Sequence, residues 1–145
     1  MSQPPITNRQ YAYFCVIGPA THEHITETIG LSPSEAYNPG DERPPRGVKS
    51  KHMYWKLDSG HDDTEPLEEH IRTILTFLNT RVEAIRQLWD DYDLILECVG
   101  FFPPSGHGFH LDRETIRQAA RLGIAVDLDF YYTEEPDLPK PKDGG

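Results

Sequence analysis

The chain is short of cysteine and of positive charge, and it holds no long hydrophobic run. Its two cysteines, Cys15 and Cys98, lie in separate apolar stretches and form no CxxC pair. That removes the closely spaced thiols on which structural zinc and dithiol redox sites depend. Both are expected as buried free thiols, the ordinary state of cysteine in a reducing cytosol. Lys and Arg number 14 against 24 Asp and Glu, which leaves a formal charge of -10. Such a surface repels phosphate backbones and anionic lipid, so neither nucleic acid nor a membrane is an expected partner. No apolar run approaches the ~20 residues that cross a bilayer, and the first residues lack a basic stretch followed by an apolar one. The expectation is a cytoplasmic protein.

Catalytic fingerprints are missing too. Ser105 lies in PPSGHG, which is not the strand-to-helix elbow of GxSxG, and Cys98 is central in an apolar strand where a thiolate is costly. GFFPPSGHG lacks the glycine spacing and the lysine of a phosphate cradle. No catalytic residue and no cofactor is expected.

What is present is enough for one domain. A chain of 145 residues buries about 70% of its unfolded surface and needs no staple. Residues 1–10 are polar with two prolines, and residues 133–145 are acidic and proline-rich; both read as loose ends around a single domain over residues 11–132.

YAYFCVIG reads as a buried strand closed by Gly18 and Pro19. Thr21 is placed to cap a short helix carrying Ile25 and Ile29, with Gly30 past its end. Residues 32–51 have no apolar periodicity and read as a long irregular connection. Met53, Trp55 and Leu57 alternate with polar neighbours, as in a half-buried strand. Leu67, Ile71, Ile74, Leu75, Leu78, Val82, Ile85 and Leu88 or Trp89 lay an apolar stripe over residues 66–90. Within it TRVE resembles a capping box, which predicts a break near Asn79 and a second helix capped by Thr80. LILECVGFF reads as a buried strand, and GFHLD as a short returning strand that delivers Asp112 to cap the next helix. Ile116, Ala119, Ala120 and Leu122 would form that helix's buried face, with Gly123 ending it. In IAVDLDFYY, Ile124, Val126, Leu128 and Phe130 would pack under helices while Asp127, Asp129 and Tyr131 point away.

Strict alternation in the last strand means a sheet covered on one side. The expected fold is α+β: a two-layer sandwich with a mixed, mostly antiparallel four- or five-stranded sheet and helices on one face, a ferredoxin-like variant.

GDERPPR, YWKLDSG, LEEHIRTIL, ECVGFF and GFHLDRETIRQAARLGIAVDLDFYY together resemble the bacterial domain-of-unknown-function family 4279, in the same order and at similar spacing. The pattern falls on Gly40, Asp41, Trp55, Leu57, Gly100, Phe109, Leu111 and Leu122. The resemblance implies a cytoplasmic bacterial accessory protein and supplies no mechanism. The proline-rich ERPPRG and the acidic tail depart from the pattern.

The histidines are poorly spaced for metal. His107 and His110 stand three apart in a turn and strand, where odd separations face opposite ways, and His22 and His24 diverge on a helix. His61 with Asp62 and Asp63 could meet the later pair in space, yet helix capping accounts better for DSGHDDTE, and no metal is expected. Two features remain. The loop with Arg43, Arg46, Lys49 and Lys51, beside His52 and His107, gathers positive charge in an acidic chain and offers an anion site. The uncovered sheet face gathers Tyr54, Lys56, Glu97, Asp127, Asp129 and Tyr131. Tyrosine suits interfaces, and carboxylates steer a cationic partner. The favoured expectation is therefore a small non-enzymatic binding protein that holds a basic protein, as inhibitors and immunity proteins do. The alternative is a small-anion binder or enzyme built on Arg43, Arg46, His52 and His107, with an imidazole carrying the proton.

Overall fold

Gln10, Ala12, Phe14 and Val16 alternate with Tyr11, Tyr13 and Cys15 along β1 (Arg9–Gly18), the middle strand of the sheet. The strand is found in a computed structural model that describes residues 9–44, 46–106 and 108–132. It begins at Arg9, earlier than the boundary read from the sequence.

The remaining elements are α1 (His22–Ile29), β2 (Glu35–Tyr37), β3 (Glu42–Arg43), β4 (Val48–Lys49), β5 (Met53–Asp58), α2 (Leu67–Leu78), α3 (Val82–Arg86), β6 (Asp93–Phe102), α4 (Arg113–Leu122) and β7 (Ala125–Tyr132). The main sheet runs β2-β5-β1-β6-β7, antiparallel throughout except for the parallel β6–β7 pair. β5 and β6 both run antiparallel to β1, which lies between them, so β5–α2–α3–β6 is a split crossover of the ferredoxin-like kind. β6–α4–β7 departs from that pattern by joining direct neighbours.

One face of the sheet meets all the helices. Ala12, Phe14, Val16, Met53, Trp55, Leu57, Leu94, Leu96 and Cys98 form a single cluster with Ile25, Ile29, Ile71, Ile74, Leu75, Leu78, Ile85 and Leu122. Each fully buried aliphatic side chain contributes roughly 1.5–3 kcal/mol by leaving water. Trp55 stands edge-on to Phe14 at 6.2 Å and donates its indole N–H to Thr26 Oγ1 at 3.0 Å, which ties α1 to the sheet. The fold is thus a two-layer α+β sandwich with a mixed five-stranded sheet.

The helix ends follow local chemistry in three places. Thr21 Oγ1 accepts from the His24 N–H, Asp112 Oδ1 accepts from the Thr115 N–H, and Gly30 closes α1 in the left-handed conformation. The break between α2 and α3 falls where the sequence predicts it, at Asn79. The cap does not: Arg81 is the N-cap of α3, and the Thr80 hydroxyl donates instead to the Phe77 carbonyl at 2.7 Å.

Four further expectations are corrected. Residues 32–51 are not a bare loop, because β2 pairs with β5 and β3 pairs with β4. GFHLD forms no strand, although it still delivers Asp112 to its cap. On α4 only Leu122 is buried, with Ala119 partly so, while Ile116 is exposed. Val126 and Leu128 are not buried under helices, whereas Ile124, just before the strand, and Phe130 are partly buried against the core as expected. The physical reason is position: β7 is an edge strand, and α4 packs on α2 and α3, leaving Val126 and Leu128 uncovered. Among the described residues no helix is long and apolar enough to cross a membrane.

Candidate functional site

The face of the sheet opposite the helices is built by alternation, and its rows follow from strand register. Glu35, Lys56, Cys15 and Ile95 lie abreast across β2, β5, β1 and β6. The next row is Asp58, Tyr13, Glu97 and Asp127; the next is Tyr11, Val99 and Asp129; the last is Arg9, Phe101 and Tyr131. All six residues expected on this face, Tyr54, Lys56, Glu97, Asp127, Asp129 and Tyr131, are on it.

They do not form one spot. Tyr54 and Lys56 lie on β5, with β1 between them and the acidic half on β6 and β7. On the β5 half the cations are already engaged. Lys56 Nζ sits 4.3 Å from the Tyr13 ring centroid, 3.4 Å from Glu35 Oε1 and 3.9 Å from Asp58 Oδ1. Tyr54 stacks with Tyr37 at 6.5 Å, and the Arg43 guanidinium lies over both rings. Burial is the main reason the phenol of Tyr13 is pushed up to about 12, the Glu97 charge adding to it.

The other half is acidic and aromatic. Phe101 and Tyr131 stack at 5.0 Å. Arg9 lies over Tyr11 and Phe101 but is bound to Asp63 at 2.9 Å. Among the described residues Glu97, Asp127 and Asp129 have no ion pair. Partial burial, a hydrogen bond with Asp127, and the charges of Asp127 and Asp129 push the Glu97 carboxyl up to about 7. A hydrogen bond to Asp129 raises the Tyr131 phenol. Carboxylates crowded together without counter-charge are stabilised by an arriving cation.

Sequence reasoning missed Tyr11, Tyr13 and Phe101 on this face. Both faces of β1 and β6 carry bulky residues, so the period of two is hidden in what reads as a continuous apolar run.

The anion site of the alternative reading is partly assembled. Arg43 and His52 line one cleft of about 430 Å³ together with Lys49, Lys51, Val48, Met53 and Tyr54. Arg46 is exposed on the β3–β4 turn and is not among the lining residues. His107 lies outside the described residues.

Residues 8–133 match the family described as Domain of unknown function (DUF4279). The chain belongs to that family. Neither a curated protein nor a solved structure matches it. The positions that carry the DUF4279 resemblance are mostly structural: Trp55, Leu57 and Leu122 are in the core, with Phe109 and Leu111 packed against it. Gly100 leaves room for the Phe102 ring, which a Cβ would meet at 2.4 Å. Asp41 Oδ2 accepts from the Asn38 N–H, and the Gly40 N–H reaches the Ser50 carbonyl, so these two hold the turn before β3.

A third arrangement in this DUF4279 chain lies at the end of β5 and had no counterpart in the sequence reading. Ser59 Oγ and His70 Nδ1 are 2.6 Å apart, and Ser59 Oγ also accepts from the His61 N–H at 3.0 Å. His61 Nε2 meets Thr73 Oγ1 at 2.6 Å, and its ring stands perpendicular to His70. Serine beside imidazole is the pairing of a nucleophile and its base, but in a triad the second ring nitrogen is oriented by an acceptor. Among the described residues no side chain accepts from His70 Nε2, which is buried. As placed, the contact ties the loop after β5 to α2. The signal was there to be read, since His70 falls three residues after Leu67 on the buried stripe. Among the described residues no three His, Cys, Asp or Glu side chains converge as ligands for a metal ion.

Proposed function

We propose that this protein is a small acidic binding protein of the bacterial cytoplasm, and that its open sheet face holds a basic protein partner, in the manner of an inhibitor or immunity protein. What supports the reading is one observation: Glu97, Asp127 and Asp129 stand beside Tyr11, Tyr131 and Phe101 on one face of the sheet with no ion pair of their own among the described residues. Aromatic rings supply rigid contact area, while the unpaired carboxylates steer and select a cationic surface. The overall charge of -10 acts in the same direction at longer range.

The test is charge reversal. Immobilised wild-type protein and the Asp127→Lys/Asp129→Lys variant are exposed to lysate of the source bacterium, with Arg43→Glu/Arg46→Glu as the control. A basic protein held by the wild type and the control, released by salt, and lost from the aspartate variant supports the reading. Equal retention by all three removes it.

The second reading is a small-anion binder or enzyme. It rests on the cleft whose lining includes Arg43, Lys49, Lys51 and His52 and no carboxylate. Arg43, Lys49 and Lys51 form no ion pair among the described residues. Calorimetric titration with phosphorylated and carboxylated metabolites tests it, and heat that disappears in Arg43→Glu would favour this cleft over the sheet face.

A further inference from the structure

β7 is an eight-residue strand at the edge of the sheet, and all its residues except Phe130, which packs against the core, are exposed. An edge strand directs every second N–H and C=O away from its neighbour, here away from β6. On the underside Val126 is 38% exposed and Leu128 51%, with Ile116 of α4 55% exposed. On the upper side Asp127 and Asp129 are exposed beside Tyr131. β7 therefore offers three things in register: backbone groups that no described residue pairs with, an apolar strip below and a carboxylate strip above.

A second copy paired centrally, about Asp127 or Leu128, fits this edge badly. Antiparallel self-pairing about Leu128 would set Asp127 of one copy against Asp129 of the other, and like charges opposite one another are destabilising. Outward charges on an edge strand are a known guard against such pairing. The complementary occupant has the opposite charge at the same spacing, with apolar residues between.

We infer that β7 takes up an extended peptide segment of the partner by strand addition, a segment in which Lys or Arg alternates with apolar residues. The basic residues face Asp127 and Asp129, and the apolar residues cover Val126 and Leu128. Main-chain hydrogen bonds to β7 supply affinity, and the alternation supplies specificity. The inference deepens the acidic-face reading and rests on it.

The probe is an acetylated, amidated octapeptide of alternating Lys and Val, titrated by isothermal calorimetry. Two further versions carry backbone N-methyl groups, one on all the Lys and one on all the Val. In an added strand only one of these sets turns its N–H toward β7. The expected result is that one methylated version binds about tenfold or more weakly while the other is nearly unchanged. The alternate set of β7 amides not bonded to β6 then gains hydrogen-exchange protection. Val126→Arg/Leu128→Arg, at exposed positions, keeps the circular dichroism of the wild type and loses the peptide.

Equal binding of both methylated versions overturns strand addition; if Asp127→Lys/Asp129→Lys still weakens the parent peptide, the acidic-face reading stands without it. Selective loss in one version with a silent aspartate pair keeps the added strand and removes the acidic face. No saturable binding at millimolar peptide overturns strand addition, and so does concentration-dependent dimerisation of the free protein through β7. In both cases the lysate experiment decides the acidic face separately.

Discussion

Glu97 and Asp127 stand directly opposite one another across the parallel β6–β7 pair, and their carboxyl groups share a hydrogen bond. Like charges opposed on neighbouring strands are destabilising unless a proton sits between them. With the Glu97 carboxyl raised from 4.5 to about 7, the folded state binds more protons than the unfolded state between those values. Stability contributed by this group therefore falls as pH rises through that window, and the penalty is complete above it. Glu97→Gln should raise the denaturation midpoint at pH 8 and leave it almost unchanged at pH 4. Screening by solvent reduces the full linkage value, so the gain at pH 8 should be about 1 kcal/mol. A variant less stable than wild type at pH 8 would contradict the shared proton.

The two candidate caps should behave differently. Asp112 accepts the Thr115 N–H at 2.8 Å, so Asp112→Ala should cost about 1 kcal/mol in urea denaturation. Thr80 caps nothing: its hydroxyl bonds back to Phe77 at an exposed site, and Thr80→Ala should stay within about 0.5 kcal/mol. Equal losses would mean that the TRVE box forms after all.

That contrast shows what the sequence could and could not reveal. β5 and the Leu67–Leu78 helix were legible because one face of each is apolar at a clean period, and burial of that face is what selects the element. β7 alternates just as cleanly, yet alternation only reports that its two faces differ. It does not say that Val126 and Leu128 are covered by the same chain. β2 was hidden because three residues, Glu35, Ala36 and Tyr37, carry no period and are held by pairing with Trp55 and its neighbours. The acidic half of the open face was readable from Asp127, Asp129 and Glu97. Its separation from Lys56 was not, since strand order is set by long-range pairing.

Gly123 closes α4 at φ 70°, and a Cβ there would lie 2.5 Å from the Trp89 ring, whose N–H donates to the Leu122 carbonyl at 2.8 Å. Gly123→Ala therefore meets both backbone strain and a packed indole. A loss of at least about 1–2 kcal/mol is expected, with a shift in Trp fluorescence as the ring is displaced. Asn, which tolerates the left-handed conformation, would still meet the ring and should not restore the wild-type spectrum.

Cys15 and Cys98 should be silent to thiol reagents in the native protein. Cys15 belongs to the open face and Cys98 to the core, but burial is the first cause that pushes both thiols up to about 12, with Glu97 and Asp127 adding negative charge nearby. At pH 8 neither forms appreciable thiolate. Ellman's reagent should therefore detect no thiol before unfolding and both after it. Rapid modification of Cys15 in the native state would show that the open face is looser than its register implies.

His70 supplies the counterweight to Glu97 in acid. It is 1% exposed, and burial first, then the neighbouring His61, lowers its pKa from 6.5, while Asp63 and backbone groups near Asp62 and Glu65 act the other way. A histidine with a depressed folded-state pKa binds fewer protons than its unfolded counterpart. Its stability contribution is whole above 6.5 and is lost as pH falls below that value. Over the same range Glu97 gains stability on acidification, so the wild type should show a shallow profile between pH 7 and pH 5. Each substitution exposes the other group. Glu97→Gln should steepen the loss on acidification, whereas His70→Gln should reverse it, giving a protein more stable at pH 5 than at pH 7 whatever its absolute offset. Denaturant midpoints at both pH values read these slopes directly. Parallel profiles for the wild type and His70→Gln would mean that His70 takes its proton without disturbing the fold, and that the buried Nε2 has a partner in solution.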